Sequence, residues 1–216
     1  MAAAPALEFV ERTLAHYRDK FATHGATPLG VDWNGEASQR VQFEQLLKLL
    51  PDGASCSLND FGCGYGALAD LLVDRAGDFD YRGYDLNPEM ISAASERHAT
   101  NAHVAFHVAD EPLARADYGV ASGVFTLRLG RTDAECRAQL LQSLDALDRT
   151  SRLGFGFNCL TAYSDRDRMK DHLYYPDPCD LFDLCKRRYA RNVALLHDYG
   201  LYAFTILVRK GALPPP

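Results

Sequence analysis

The chain has 216 residues, 47% of them hydrophobic and 24% charged, with a formal net charge of −6. That length fits one domain with a substantial core, and an acidic balance without a dense Lys/Arg run argues against a surface that tracks nucleic-acid phosphates. No apolar run approaches the ~18 residues of a membrane span, and the opening MAAAPALEF lacks the basic start of a secretory signal, so a cytoplasmic protein is expected.

Leu7, Val10, Leu14, Tyr17 and Phe21 recur at steps of three and four, which predicts an amphipathic first helix. The loop HGATPLGVDWNG follows, and Phe43, Leu46, Leu47 and Leu50 mark the buried face of a second helix ending before Pro51. From Ser57 the pattern alternates. SLNDFG reads as a strand, Leu68, Leu71 and Leu72 as a helix, and FDYRGYD as the next strand. In NPEM, Asn87 can cap a helix and Pro88 suits its first position. HVAFHVAD and ADYGVASGVF read as the third and fourth strands. Thr132 with Glu135 forms a capping box for a helix running to about Asp148. RLGFGFN is a fifth strand, with Leu153, Phe155 and Phe157 on one face and Gly154 and Gly156 on the other, where a helix could pack closely. After a polar stretch at about 159–178 comes a helix with Leu181, Phe182, Cys185 and Tyr189 on one side, then two strand-like runs joined by a turn at Asp198–Gly200. So short a connection implies an antiparallel pair. Six cysteines are scattered without Cys-x-x-Cys spacing or a suitably placed His, so they read as reduced core thiols and no metal site is expected.

The glycines of DFGCGYG, residues 60–66, lie between a strand and a helix, where a ligand can rest against backbone and meet free N–H groups. Gly62, Gly64 and Ala67 satisfy a dinucleotide fingerprint, and Asp85, about 20 residues on, could reach a ribose. Asp60 before the glycines and Gly66 as a third glycine fit a different pattern, acidic-x-Gly-x-Gly-x-Gly.

With DFGCGYG after the first strand, GYD ending the second, VAD ending the third and a closing hairpin, the chain resembles the class I S-adenosylmethionine-dependent methyltransferases from Ser57 onward. The hairpin favours this family over a dehydrogenase, which would continue with parallel strands. The resemblance implies a Rossmann-like, mostly parallel seven-stranded α/β sheet with a C-terminal antiparallel hairpin and helices on both faces. Residues 1–52 would form an N-terminal helical lid over a core at 53–216, with a substrate-loop insertion at about 159–178. It also implies S-adenosylmethionine as cofactor, backbone contacts from Gly62, Cys63 and Gly64, ribose hydroxyls on Asp85, adenine against Leu86, and Asp110 with Glu111 at the adenine amino group. Tyr17, Trp33 and Arg40 are expected cofactor contacts from the lid. Asp60 is expected to fix the glycine turn through backbone hydrogen bonds, and the Cys63 thiol is not expected to be a nucleophile.

Ligands in open α/β sheets sit beyond the C-terminal strand ends, so the segments after the fourth and fifth strands should face the acceptor. The expected acceptor contacts are Arg128, a fork for a carboxylate or phosphate, Asn158, Tyr163, Tyr174 and Tyr175. The acceptor is expected to be a small molecule, with an anionic group if Arg128 anchors it. His24, Asp165 and His197 could each serve as a base, and none has a spacing that marks it as catalytic. No NPPY-like segment follows the fourth strand, which sets the chain apart from the amino-methylating nucleic-acid enzymes. Two alternatives stay open: an enzyme of this fold that consumes S-adenosylmethionine itself, and a non-catalytic cofactor-binding module.

Overall fold

The computed structural model describes residues 4–53, 55–73 and 78–211. Its strands are β1 (Cys56–Phe61), β2 (Phe79–Asp85), β3 (Val104–Val108), β4 (Ala116–Ala121), β5 (Ser151–Leu160), β6 (Asn192–Leu196) and β7 (Ala203–Arg209). They form one sheet in the order β3-β2-β1-β4-β5-β7-β6. The first five run parallel, and β7 lies antiparallel between β5 and β6. The mostly parallel sheet with one reversed strand is therefore present. Order reverses between β1 and β4, the switch point at which a crevice opens beyond the strand ends.

The helices are α1 (Ala4–His24), α2 (Glu36–Leu47), α3 (Ala67–Val73), α4 (Pro88–Arg97), α5 (Asp133–Thr150) and α6 (Pro178–Arg188), with a short 3-10 turn at Pro28–Val31. Their ends form where local chemistry dictates. Asn87 accepts from the N–H groups of Glu89 and Met90, both halves of the Thr132–Glu135 capping box are made, and Asp177 caps α6 ahead of Pro178. α2 ends at Leu47, but tighter hydrogen bonds carry the turn on through Leu50.

Two apolar layers flank the sheet. Leu140, Leu144 and Leu147 of α5 and Leu181 and Cys185 of α6 pack on Phe155, Phe157, Phe204 and Ile206. On the other face, Leu46 and Leu47 of α2 and Leu68 and Leu72 of α3 pack with Leu58, Tyr81 and Leu207. Gly154 and Gly156 make room for this second layer: a Cβ at Gly156 would lie 3.2 Å from Leu46 Cδ2 and 3.0 Å from Leu207 Cδ2. Leu153 shares the side of Phe155 and Phe157 but stays 43% exposed, because it precedes the covered part of the strand.

Residues 1–52 do not act as one cover. α2 belongs to the sheet's flanking layer, with Leu46 fully buried, whereas α1 and the 3-10 turn sit over the crevice. The 161–177 connection is tied down as well. Tyr174 N–H donates to the Thr126 carbonyl, Arg128 N–H donates to the His172 carbonyl, and Leu127 bridges Leu173.

Leu46→Ala should lower unfolding stability by about 2–5 kcal/mol, as for other fully buried leucines. Urea unfolding checks this, and a much smaller loss would show that α2 is peripheral.

Candidate active site

Gly62, Gly64 and Gly66 have φ of +76°, +54° and +81°, values that side chains rarely tolerate. Protein also crowds the loop: a Cβ at Gly62 would lie 2.5 Å from Val124 Cγ2, and one at Gly66 2.8 Å from Phe106 Cζ. The glycines are thus required by the chain itself. Gly64 differs, its nearest neighbour being the Val31 side chain at 3.2 Å, across a cavity that both residues line.

The turn is held by Asp85. Its Oδ2 accepts from Gly64 N–H at 2.9 Å and its Oδ1 from Asn87 N–H at 2.8 Å, while Gly62 and Cys63 N–H donate to the Tyr84 carbonyl. Burial raises the Asp85 pKa, and the hydrogen bonds from Asn87, Gly64 and Leu86 offset part of that rise. The carboxylate keeps capacity for a further donor. Asp60, expected to fix the turn, takes a different part. Its Oδ2 accepts the Tyr81 hydroxyl at 2.6 Å, and its Oδ1 is buried without a partner. Burial, opposed by the Tyr81 hydrogen bond and reinforced by the Asp85 charge, pushes its pKa up to about 7. The Cys63 thiol is also buried, and desolvation raises its pKa well above the usual range, so it is inert as a thiolate.

Two cavities meet here. The first is bounded by the glycine loop, Asp60, Asp85–Asn87, Met90, Ala109 and Ser122–Val124, and is roofed by Thr13, Leu14 and Tyr17 of α1. The second, about 530 Å³ against about 140 Å³, lies towards β5 and the 161–177 connection. Val31, Trp33 and Gly123 line both. The second cavity carries basic groups on two sides: Lys20 and His24 from α1, and Arg168, Lys170 and His172 from the connection. Its one lining carboxylate, Asp32, accepts from Lys20 Nζ at 2.8 Å and is 2.8 Å from His16 Nε2. Burial alone would raise the Asp32 pKa, but these two partners outweigh it and the net shift is downward.

A Mycobacterium tuberculosis protein named "Putative methyltransferase Rv1506c" is 56% identical over 156 residues, which cover 72% of this chain and 94% of that protein. The chain belongs to the class I methyltransferases. Residues 59–144, which hold the glycine loop and Asp85, match a family described as "Methyltransferase domain". The fold recurs in DhpI solved with S-adenosylhomocysteine (SAH; 16% identity, TM-score 0.61, covering 94% of this chain and 97% of that one). It recurs again in magnesium protoporphyrin IX methyltransferase from Synechocystis PCC 6803 with bound SAH (14%, 0.57, 81% and 84%). The Synechocystis enzyme has also been solved with bound S-adenosylmethionine (15%, TM-score 0.53, 81% and 80%).

In the methyltransferase, the first cavity gathers Gly62, Cys63, Gly64, Asp85, Leu86, Tyr17 and Trp33. Three expected cofactor residues lie outside its lining. Arg40 is exposed and pairs with Glu44 one helical turn on, Glu111 is drawn to Arg149 on α5, and Asp110 is exposed beside the lining residue Ala109. The second cavity gathers Trp33, Asn158 and Tyr175. Tyr174 is 6% exposed in the core and Tyr163 is 64% exposed, so neither lines it. Arg128 also lies elsewhere, because Asp133 at the start of α5 takes its guanidinium. Of the three candidate bases, His24 lines the second cavity, Asp165 accepts the Tyr202 hydroxyl, and His197 packs between the rings of Tyr163 and Phe204.

The sequence reading passed over Lys20, Asp32, His172 and the free oxygen of Asp60. Lys20 was within reach of it: Thr13, Tyr17, Lys20 and His24 follow one another at steps of four, three and four on α1, the stripe that faces both cavities.

An acid whose pKa is raised on folding contributes stability that is complete below its unfolded value of about 3.8 and is lost as pH rises through about 7. Asp60→Asn should therefore gain stability relative to the wild type between about pH 5 and about pH 8. Urea unfolding of both proteins at the two pH values checks this, and a constant difference would show that Asp60 is already ionised at the lower one.

Proposed function

We propose that this methyltransferase transfers the methyl group of S-adenosylmethionine to a small-molecule acceptor that carries an anionic group. The carrying observation is the second cavity, where two elements present five basic side chains and a single carboxylate, already engaged by Lys20. No ion pair occupies Lys170 among the described residues, so its ammonium is free for a ligand. Arg168 is 3.7 Å from Asp167 at an exposed position, a pairing worth little in water.

The residues of the first cavity fit the donor. The unpartnered Oδ1 of Asp60 suits the ammonium of its methionine part, the remaining acceptor capacity of Asp85 suits the ribose hydroxyls, and Leu86 and Met90 offer apolar surface to the adenine. When bound, S-adenosylmethionine supplies a methyl carbon on a positive sulfur, which a nucleophile takes as the carbon–sulfur bond breaks towards sulfur. Val31, Trp33 and Gly123, the surfaces common to both cavities, exclude water where donor and acceptor would meet. None of the three titrates, which suits an acceptor that is nucleophilic without losing a proton, such as a carboxylate or phosphate. α1 and the turn after it serve as the lid, clamped by Asp32 through His16 and Lys20.

S-Adenosylmethionine and SAH should raise the melting temperature and NAD should not. Asp85→Ala should lose most of that shift, because it removes both the ribose acceptor and the tie to Gly64. Loss of the shift on replacing Arg40 instead would move the donor site.

Incubation with labelled S-adenosylmethionine and fractionated metabolites should label the product of an acceptor that is anionic before transfer. With that acceptor, Lys170→Ala should raise KM about tenfold, the scale of one charged hydrogen bond, while donor affinity and the behaviour of Arg128→Leu stay near wild type. Labelling of an acceptor that carries no anionic group before transfer, or release of methylthioadenosine without any acceptor, would overturn the reading.

A further inference from the structure

Asn158, near the end of β5, is 1% exposed, and its amide is committed to the loop after β4. Oδ1 accepts from Gly123 N–H at 2.9 Å, and Nδ2 donates to Ser122 Oγ at 2.8 Å. Gly123 is held at φ +75° against the Trp33 ring, where a Cβ would lie 3.2 Å from Cζ2. Its carbonyl accepts from Thr126 Oγ1 at 3.0 Å. Burial raises the Tyr17 pKa and keeps it a neutral phenol where α1 roofs the first cavity.

These contacts make the Ser122–Thr126 loop a partition. Ser122 and Gly123 face the donor cavity, while Gly123 and Thr126 face the acceptor cavity. The strand ladder does not hold the partition, since β4 ends at Ala121 and the Gly123 N–H is taken by a side chain. We propose that Asn158 is a positioning residue for methyl transfer: it sets Gly123 against Trp33, and so fixes where donor and acceptor meet. Both amide atoms are engaged by the loop, which fixes the side chain's orientation. In-line displacement is sensitive to misplacement on the order of 1 Å, and this loop is the wall against which both reactants are placed. The inference rests on membership of the family and not on the charge of the acceptor.

Trp33 is the chain's only tryptophan, so its fluorescence reads the partition directly. Asn158→Leu removes both hydrogen bonds at similar volume. Asn158→Asp keeps an oxygen for Gly123 N–H, and the Ser122 hydroxyl can turn from acceptor to donor. With SAH bound, Asn158→Leu should raise acrylamide quenching of Trp33 on the order of twofold, as expected when a local contact opens, and Asn158→Asp should restore most of the protection. Gly123→Ala, which disturbs the same contact from the loop side, should act similarly, and the double variant should do no more than either single one. Unchanged quenching in a folded Asn158→Leu protein, or additive effects in the double variant, would show that Asn158 serves β5 alone. If Asn158→Leu does not fold, Asn158→Ala, which also removes both hydrogen bonds, combined with Gly123→Ala carries the same comparison, and additivity there would equally sink the proposal. Failure to bind SAH at all would count against the donor site and leave quenching of the ligand-free protein as the test of the partition.

Discussion

Everything at the mouth of the sheet hangs on the Asp85 carboxylate. It terminates β2 and reaches sideways to the loop after β1 and forward to the start of α4, one oxygen to each. Two backbone N–H groups that would otherwise point into a half-dry crevice are satisfied by one side chain, which is costly to leave undone. The consequence is geometric. The glycine loop is tied to α4, so the floor of the first cavity is one piece, and the second cavity is measured from it. An acid anchored by backbone on both oxygens presents its remaining acceptor capacity in a fixed direction.

The sequence disclosed the elements whose causes are local. Asn87 before Pro88 and Thr132 before Glu135 cap helices within four residues, and both caps are made as read. The alternation of glycine with phenylalanine in β5 announced two faces and a close packing partner, which proved to be Leu46 and the turn after it. The short turn before β7 required an antiparallel strand, and the sheet has one. What stayed illegible depends on partners distant in sequence. Glu111 stands in the right strand-end position, but Arg149 lies 38 residues on and captures it. Tyr163, Tyr174 and Tyr175 looked alike as a polar, aromatic loop. Only the pairing of that loop with residues 126–128 decides that Tyr174 turns into the core, Tyr175 towards the cavity and Tyr163 to solvent.

The charge reading shows the same division. An arginine in the apolar run Phe125–Leu129 did need an anion, as argued from the cost of an unpaired guanidinium, and the protein supplies one itself in Asp133. The argument from desolvation was sound and its conclusion about a ligand did not follow, because the start of α5 brings an acid within reach five residues later. The basic side chains that do face a cavity are ordinary surface residues in sequence. They converge because α1 crosses the crevice with one stripe turned down and the 161–177 connection folds back to meet it.

The placement of β7 bears on how the molecule is built in time. Strands β1 to β5 add to the sheet by parallel crossovers, but β6, made before β7, has no strand to pair with until residues 203–209 emerge and slide in between. While the chain is growing, the edge of β5 is therefore open, and Asn158, whose partner in β7 is Thr205, stands on that edge. The donor half rests on β1, β2 and β4 and can assemble from contacts already present. The partition between donor and acceptor waits for the last strand to close over it. In a growing chain the outer edge of β5 therefore stays without its neighbour until the last strand is made, and contacts that close the longest loops are the slowest to form.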